Sequence, residues 1–415
     1  MTTKFTKACA LVVIAFLYNN AFPADTVKIA VINGLSGSGA LAGEEQLKAF
    51  YAAADYVNSD RALLSGKKFE IVPFDDKGSP QEALVVLKRA IDQDIRYIAS
   101  TRSNIAHALI DAVAKHNDRN LDKTVLFLDY NALDPALTEA KCNFWHFRFE
   151  SHSDIQLDVL TDYMKKLPSL HKVYLLNQDY AYGQAVSRGA REMLTRKRPD
   201  IQIVGDEFVP LLKIKDFAPY VAKIHASGAD AVLTGNWGGD LSLLIKASNQ
   251  TNLKANFFTL LATQWGAPAA IGSAGADKVK SITSWHLNAA DSDWEKRLVR
   301  YSTQYTSNSD MAYIPPFRVL EMLASAMNKA GTHDPLKVAQ ALEGAKYNGP
   351  TGESWMRAED HQLIAPVYVV NFVKAGSAAV KYDAEGSGYG WHTEALIPAR
   401  EIMPPIKCQM ERPSN

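Results

Sequence analysis

The residues best placed to do chemistry lie in a glycine- and serine-rich loop near the start of the chain. A strand predicted over 27–32 runs through Asn33 and Gly34 into the loop 35–43, and an amphipathic helix follows. Glycines let the backbone come close to a bound group, and the free N–H groups of the first helical turn carry partial positive charge. The pattern therefore predicts a binding site for an anionic group at the end of a strand.

Residues 1–24 precede that strand and have the pattern of a secretory signal peptide. A basic start leads into the apolar run 8–18, and Ala21 and Ala24 are candidate cleavage points. The alternative, a buried N-terminal helix, is weaker because two asparagines and a proline interrupt the pattern before the first strand. The run is too short to span a bilayer comfortably. We therefore expect an exported protein that is soluble outside the cytoplasm.

The spacing Gly37-x-Gly39-x-x-Ala42 also satisfies a dinucleotide-binding fingerprint, which would make the protein a nucleotide-dependent oxidoreductase. Against this alternative, the second predicted strand ends at Asp75-Asp76, well beyond the roughly 20 residues at which a ribose-binding acid is expected. Export is a second argument against a nucleotide-dependent enzyme, because pyridine nucleotides are found in the cytoplasm. The sequence has neither Gly-x-Ser-x-Gly nor His-Glu-x-x-His. We expect no catalytic, cofactor or metal site.

The composition excludes one class of partner and predicts more than one domain. The 415 residues carry 45 basic and 45 acidic side chains. Such a balance has no electrostatic signature for nucleic acid. A mature chain of roughly 390 residues is longer than a single core usually covers, so we expect two or more domains.

Two cysteines remain in the mature chain, because Cys9 lies in the predicted signal peptide. They are Cys142 and Cys408. In an oxidising compartment such a pair favours a disulfide over a reactive thiol or a metal site. We therefore predict a disulfide between them, and the sequence alone leaves open whether they meet.

Apolar runs of strand length alternate with segments of helical period through most of the chain. This order is typical of parallel βαβ units, so we predict an α/β fold. The series restarts after Arg148, which indicates two Rossmann-like lobes, each with a central parallel sheet. Open α/β sheets bind ligands at the carboxyl ends of their strands. We therefore expect the strand-to-helix loops of both lobes to converge on one cleft.

Hydroxyl side chains recur in these loops, where they suit a carboxylate or carbonyl oxygen. Any one of them is more simply explained as an N-cap, and it is their recurrence that indicates a site. The hydroxyl candidates are Ser36, Ser38, Ser100, Thr101 and Ser103.

Two aromatic residues of the second half, Tyr182 and Trp237, lie in glycine-flanked loops rather than in periodic stripes. Aromatic side chains at such positions can close over a ligand, and the alternative is that each packs on its own lobe. For Trp237, which follows Asn236, we favour ligand contact. For Trp265 we favour packing.

Six short stretches of the chain stand in a specific order: 34–37 (GLSG), 74–80 (FDDKGSP), 134–138 (DPALT), 147–148 (FR), 179–183 (DYAYG) and 347–352 (YNGPTG). Together they resemble the type I periplasmic solute-binding proteins, in particular the leucine/isoleucine/valine-binding branch of ABC-transporter receptors. The resemblance extends from about residue 27 to residue 372, nearly the whole mature chain.

The resemblance implies two lobes joined by three crossings of the chain, near Arg148, Ser284 and Pro350. The implied divisions are 25–148 plus about 285–349 for lobe 1, 149–284 plus about 350–400 for lobe 2, and 401–415 for a C-terminal tail. A small-molecule solute would be trapped as the lobes close, and an ABC permease in the inner membrane would recognise the closed form. The receptor would act as a monomer. An exported sensor that feeds a membrane signalling receptor is an alternative that the sequence leaves open.

The binding positions of amino-acid receptors match this sequence only in part. Thr101 and Ser103 suit the loop that holds an α-carboxylate. Leu133 takes the position of a threonine that binds the α-ammonium. A glutamate that neutralises the ammonium would fall within 259–263, where the sequence offers Ala262 and no acid. A buried ammonium without such partners would cost several kcal/mol, so a standard amino acid is disfavoured.

The aromatic positions of the resemblance also differ in part. A bulky aromatic of the first loop falls near Leu41 and Ala42, which leaves more room for a ligand. Tyr182, Trp237 and Phe317 fall on positions where relatives line the pocket with aromatic residues, and Asn131 completes the predicted set. The resemblance thus implies an organic or aromatic carboxylate rather than leucine, isoleucine or valine.

Overall fold

The computed structural model describes residues 26–59, 66–289, 314–349 and 351–413, together with residues 293, 296, 300, 301, 304 and 305. The predicted signal peptide lies outside the described residues. Within the described part of the chain, no helix combines the length and the apolar character of a membrane span.

Strands and helices alternate along most of the described chain. The strands are β1 (Thr26–Asn33), β2 (Lys68–Asp75), β3 (Tyr97–Ser100), β4 (Leu126–Asp129), β5 (His146–Arg148), β6 (Lys172–Gln178), β7 (Gln202–Val209), β8 (Ala231–Thr234), β9 (Asn256–Thr259), β10 (Val279–Thr283), β11 (Lys346–Gly349), β12 (Gly352–Met356), β13 (Leu363–Ile364), β14 (Val367–Lys374) and β15 (Tyr389–Ile397). The α-helices are α1 (Ala40–Ser59), α2 (Pro80–Asp92), α3 (Ser103–Arg119), α4 (Ser153–Lys165), α5 (Ala181–Lys197), α6 (Ala218–Ser227), α7 (Gly238–Gln250), α8 (Ala267–Ile271), α9 (Ile314–Ala330) and α10 (Pro335–Leu342).

Two sheets form the centres of two lobes. The first has five parallel strands in the order β2-β1-β3-β4-β5. The second has seven strands in the order β15-β14-β10-β9-β8-β6-β7, of which the pairs β10–β14 and β14–β15 are antiparallel and the others parallel. A small antiparallel sheet, β11-β12-β13, adds to the first lobe. The predicted α/β fold with two lobes and central parallel sheets is confirmed.

Local sequence explains where the helices begin and which strands are buried in this framework of sheets and helices. The Ser79 hydroxyl accepts a hydrogen bond from the Glu82 N–H at 3.4 Å and so caps α2, while Pro80 takes the first helical position, where no N–H is needed. Strands β3 and β4 are buried at every residue, as expected of central strands that helices cover on both faces. The frame holds the strand-to-helix loops at one edge of each sheet.

The apolar cores show where the chain passes between the lobes. Met356, Leu363 and Ala365 belong to the core of the first lobe, whereas Val367 belongs to the core of the second. Ile364 also belongs to the core of the second lobe, so this segment contacts both cores, and the third crossing near Pro350 that the resemblance implied stays a prediction. In the hairpin β11–β12, Tyr347 and Met356 belong to the core of the first lobe, and Trp355 packs against the core of the second. The remaining bounds of the lobes stay predictions.

Arg148 joins the first and third crossings. Its buried guanidinium donates to Gln362 Oε1 at 2.7 Å and to the carbonyl oxygens of Ala132 and Asp134. The Gln362 amide nitrogen donates in turn to the Glu150 carbonyl oxygen at 2.9 Å. Because these groups are buried, each hydrogen bond also removes the cost of an unpaired polar group. The crossings are thus held to one another by directional contacts.

The C-terminal tail returns from the second lobe to the first. Ile402 packs in the core of the second lobe, and Met410 packs against the core of the first. Between them, Cys408 forms a disulfide with Cys142, with the Cα atoms 5.7 Å apart. The tail is therefore a fourth link between the lobes, and it is covalently anchored to the first lobe.

Candidate ligand-binding cleft

A cleft separates the carboxyl ends of the two sheets and contains two adjoining chambers. The front chamber, between Thr101 and Trp237, has a volume of about 40 Å³. The hinge chamber, between Glu150 and Trp285, has a volume of about 100 Å³ and lies beside the crossings. The residues that line both chambers are Asn131, Leu261 and Gln264.

Helix α3 begins at the front chamber. Thr101 and Arg102 come directly before its first residue, Ser103, and all three line the chamber. The Ser103 hydroxyl accepts a hydrogen bond from the Asp134 N–H at 3.1 Å, which joins the loops that follow β3 and β4. The helix N-terminus favours an anion in this place, and Arg102, which lines both this chamber and the neighbouring groove at Ser36, adds a positive charge beside it.

Arg102 connects the glycine-rich loop with the second lobe. Its φ of 66° lies in the left-handed region, which residues other than glycine rarely adopt. Its guanidinium packs against Gly34, Gly39 and Gly78. A Cβ atom would lie 2.7 Å from that group at Gly34 and 2.8 Å from it at Gly78. On the other side, the guanidinium carbon lies 5.8 Å from the centre of the Trp237 ring. The glycines near the start of the chain therefore make room for this side chain.

Aromatic side chains of the second lobe form the opposite wall. Trp237 Nε1 donates to the Tyr180 hydroxyl at 3.0 Å, and the rings of Tyr180 and Tyr182 are 5.8 Å apart. The Tyr182 hydroxyl is buried and has no hydrogen-bond partner among the described residues. Burial raises the pKa of Tyr182 well above its ordinary value, so the hydroxyl keeps its proton at neutral pH. The hydroxyl can therefore donate a hydrogen bond to a ligand oxygen.

The structure brings together predicted residues from both lobes at the front chamber. Those that line it are Thr101, Ser103, Asn131, Leu133, Tyr182 and Trp237. They lie in separate loops, so only the folded chain makes them neighbours. Their contact with a ligand stays a prediction.

Three predicted residues are buried behind the walls and line neither chamber. Ser100 lies at the end of β3, where every residue is buried, and its hydroxyl donates to the Thr101 carbonyl oxygen at 3.4 Å. Ala262 is fully buried. The side-chain amide of Asn236 is also fully buried and has no hydrogen-bond partner within the described part of the chain. None of the three reaches the two chambers as the structure places them.

Three further predicted residues lie elsewhere. Ser36 lines a groove outside the front chamber, and Leu41 is 59% exposed. Ala42 lines the chamber instead of Leu41, because successive helical residues point about 100° apart. Phe317 packs in the core of the first lobe, with its ring centre 5.9 Å from that of Tyr56. Its implied place in the pocket is therefore corrected, because α9 turns this side chain toward α1.

Half of the residues at the front chamber were not in the predicted set of site residues, although Ala42 neighbours the predicted Leu41. They are Ala42, Gln46, Arg102, Tyr180, Leu261 and Gln264. Arg102 and Tyr180 stand inside predicted loops next to predicted site residues, and a cation before a helix start is a signal that could have found the former. Gln46 is a polar residue on the buried face of α1, which is a weaker signal. Leu261 and Gln264 carry no such signal.

The two chambers differ in charge. Arg102 is charged, and none of the described residues that line the front chamber is acidic. The hinge chamber has Glu150, Asp383 and Glu385 in its walls. Glu150 is buried and lies 3.7 Å from an Arg318 nitrogen, so its charge has a partner. Among the described residues, no cluster of histidine, cysteine and acidic side chains is placed to hold a metal ion.

Two α/β lobes that face each other across such a cleft, with the chain crossing between them several times, define a solute-binding protein of the periplasmic type. The chain belongs to the periplasmic binding protein family, whose family model matches residues 26–377. The homologues are solute-binding proteins and not enzymes, which contradicts the dinucleotide alternative.

Individual relatives place the chain more closely. The Leu/Ile/Val-binding protein homolog 4 of Brucella abortus is 31% identical over 400 residues, which are 94% of this chain and 94% of that protein. A leucine-, isoleucine-, valine-, threonine- and alanine-binding protein from Brucella ovis has a solved structure in a closed conformation. That structure has a TM-score of 0.82 and 28% identity and covers 94% of this chain and 100% of its own. The resemblance to the Leu/Ile/Val-binding branch is confirmed.

A more distant solved structure has the same fold. It is a solute-binding protein of an ABC transporter from Rhodopseudomonas palustris BisB5, in complex with 3,4-dihydroxybenzoic acid. Its TM-score is 0.77 at 19% identity, and the match covers 90% of this chain and 98% of that one. At this identity the likeness concerns the fold alone.

Proposed function

We propose that this protein is an exported solute-binding protein that traps a small organic carboxylate between its lobes and delivers it to an ABC permease of the inner membrane. The ligand has an apolar or aromatic body and no ammonium group. One observation carries this choice. In the front chamber, Arg102 and the N-terminus of α3 face an aromatic wall, and none of the described lining residues is acidic.

The free energy of burial separates the two classes of ligand. A carboxylate would receive charge-assisted hydrogen bonds from Arg102 and a further hydrogen bond from the Tyr182 hydroxyl. An amino acid would bring an ammonium group as well, and Leu133 offers it no hydrogen bond. A buried ammonium without such a partner costs several kcal/mol. An acid without an ammonium group avoids that cost.

The relatives leave both classes of ligand open. The Brucella ovis protein is named for five amino acids, and the Rhodopseudomonas palustris protein holds an aromatic acid. One fold thus serves both classes, so the side chains of the cleft must distinguish them.

Closure of the lobes would couple binding to transport. A ligand that touches Thr101 on one lobe and Trp237 on the other favours the closed form by its differential affinity. A permease that recognises the closed form would then receive loaded protein. We expect the mature protein to begin near residue 25, to reside in the periplasm and to act as a monomer. N-terminal sequencing and light scattering of the exported protein test these expectations.

Thermal melting against a panel of ligands tests the class of solute. We expect benzoate, phenylacetate or 3-phenylpropionate to raise the melting temperature, and leucine, isoleucine and valine to leave it unchanged. A ligand at a hundred times its Kd stabilises the folded state by about 2.7 kcal/mol, which a melting curve resolves. Tight binding of leucine would contradict the proposal. Native mass spectrometry of freshly purified protein would reveal a solute that co-purifies.

A further inference from the structure

Two polar atoms in the hinge chamber lack a partner. Gln156 Oε1 and His286 Nδ1 have no hydrogen-bond partner among the described residues. Both residues line the chamber, and their exposed fractions are 5% for Gln156 and 4% for His286. Buried polar atoms in native proteins are rarely left unpaired, because each one weakens the folded state. The two atoms therefore indicate that the chamber receives a polar group.

The other contacts of these side chains hold them in place. The Gln156 amide nitrogen donates to the Ser151 carbonyl oxygen at 2.9 Å, which leaves Oε1 as the free acceptor. His286 Nε2 is paired with the Thr393 hydroxyl at 2.8 Å. Burial lowers the pKa of His286 to about 3, so the imidazole is neutral at neutral pH. The chamber thus offers one fixed acceptor and one neutral ring nitrogen.

The acids of the chamber wall already have partners within the protein. Asp383 accepts a hydrogen bond from the Gly388 N–H at 2.8 Å, and Glu385 accepts one each from the N–H groups of Gly266 and Ala269. Glu150 lies in this wall, but its carboxylate accepts a hydrogen bond from the Ser284 hydroxyl at 3.0 Å and lies 3.7 Å from an Arg318 nitrogen. Its charge is therefore already compensated. Gln156 and His286 are both neutral. A hydroxyl group, which can donate to Gln156 Oε1 and also pair with His286 Nδ1, fits these two atoms.

Shared lining residues connect the hinge chamber with the front chamber, where the carboxylate is proposed to bind. Asn131, Leu261 and Gln264 line both chambers, so one ligand can occupy both. The indoles of Trp265, Trp285 and Trp391 also line the hinge chamber, which suits an aromatic body between two polar ends.

We propose that the hinge chamber is a second ligand subsite, in which Gln156 and His286 bind the hydroxyl group of a hydroxylated aromatic acid whose carboxylate lies beside Arg102. This inference rests on the proposed function and narrows its class of ligand. The second subsite would add specificity as well as affinity, because a site that hydrogen-bonds a hydroxyl group rejects the analogue that lacks it.

Calorimetric titration of the mature protein tests the second subsite. The probes are benzoate, phenylacetate and 3-phenylpropionate, each with and without a 4-hydroxyl group, so that three ligand lengths are covered. We expect the hydroxylated acid to bind about tenfold more tightly in at least one pair. Gln156→Met should reduce that ratio to about one. Asn371→Leu is the matched control, because it removes an unpaired amide oxygen outside both chambers and should keep the ratio.

The outcomes separate the subsite from the function on which it rests. Equal affinities within all three pairs would overturn the subsite and leave the carboxylate receptor standing, since water would then satisfy both atoms equally well. Failure of all six acids to bind would contradict the proposed function and the subsite with it. The ratio in the unsubstituted protein decides between these results even if Gln156→Met does not fold, and His286→Phe provides a second variant.

Discussion

The guanidinium carbon of Arg102 lies 5.8 Å from the centre of the Trp237 ring, so a cation of the first lobe rests on an indole of the second. Such a contact contributes about 0.5–2 kcal/mol, depending on how far water is excluded. It exists only while the lobes are together. Because Arg102 also lines the front chamber, the residue that would bind a carboxylate is the one that bridges the cleft.

Replacement of Arg102 tests the anion site. We expect Arg102→Leu to weaken the binding of benzoate and its longer analogues by about 10- to 100-fold, because a charge-assisted hydrogen bond contributes about 1.5–3 kcal/mol. The change should leave the fold intact, and it is measured by calorimetry. Arg196→Gln is the control, since that arginine is exposed and lines neither chamber. Equal affinities of both variants and the unsubstituted protein would show that the carboxylate binds elsewhere.

Removal of the unpaired Tyr182 hydroxyl should weaken ligand binding without lowering the stability of the fold. In Tyr182→Phe we expect the free energy of unfolding to stay the same or to rise slightly, because a buried group without a partner disappears. Affinity for a carboxylate should fall by about 5- to 10-fold, since the ligand loses a donor. Urea unfolding and calorimetry measure the two effects. A loss of stability without a loss of affinity would assign the hydroxyl a structural role.

The hinge should depend on Arg148. Arg148→Leu would remove a buried donor from the Gln362 side chain and from the carbonyl oxygens of Ala132 and Asp134, so we expect unfolding to become easier by about 3 kcal/mol or more. Arg191→Gln is the control. It removes the half-exposed arginine of an ion pair whose partner, Asp206, is 11% exposed and keeps a hydrogen bond from the Ser187 hydroxyl, so we expect a smaller loss of about 1 kcal/mol. Similar urea midpoints for the two variants would refute a special role for the buried arginine.

Asp154 should make stability depend on pH. Burial raises the pKa of this carboxyl to about 6, above the value of about 3.9 in the unfolded chain. The folded state therefore holds the proton more tightly, and this contribution to stability is present below about pH 4 and lost as the pH rises through about 6. Asp154→Asn should raise the free energy of unfolding by roughly 1–3 kcal/mol at pH 7.5 and hardly at all at pH 4. An equal effect at both pH values would assign the change to packing.

The disulfide should stabilise the link between the lobes. It joins residues separated by 266 positions, so its removal frees a long loop in the unfolded chain. We expect the double variant Cys142→Ser, Cys408→Ser to lose about 2–5 kcal/mol of stability in urea. Dithiothreitol should lower the melting temperature of the unsubstituted protein and not that of the variant. Mass spectrometry without reduction checks that the bridge forms in the exported protein.

The amino-acid sequence by itself determined the α/β class, the two lobes and the cleft side of each sheet. These follow from the period of apolar residues and from the glycines and hydroxyls at strand ends, which are local properties of the chain. The loop around Thr101 and Ser103 and the aromatic residues Tyr182 and Trp237 were predictable for the same reason, since the carboxyl ends of parallel strands meet at one edge.

Only the tertiary structure decided which side chains face the cleft. Phe317 turns into the core and Ala42 replaces Leu41 because the rotation of a helix is set by what it packs against. Arg102 reaches between three glycines and a tryptophan of the other lobe, and Arg148 donates a hydrogen bond to Gln362. These contacts join residues far apart in sequence, and no local pattern encodes which of them will meet.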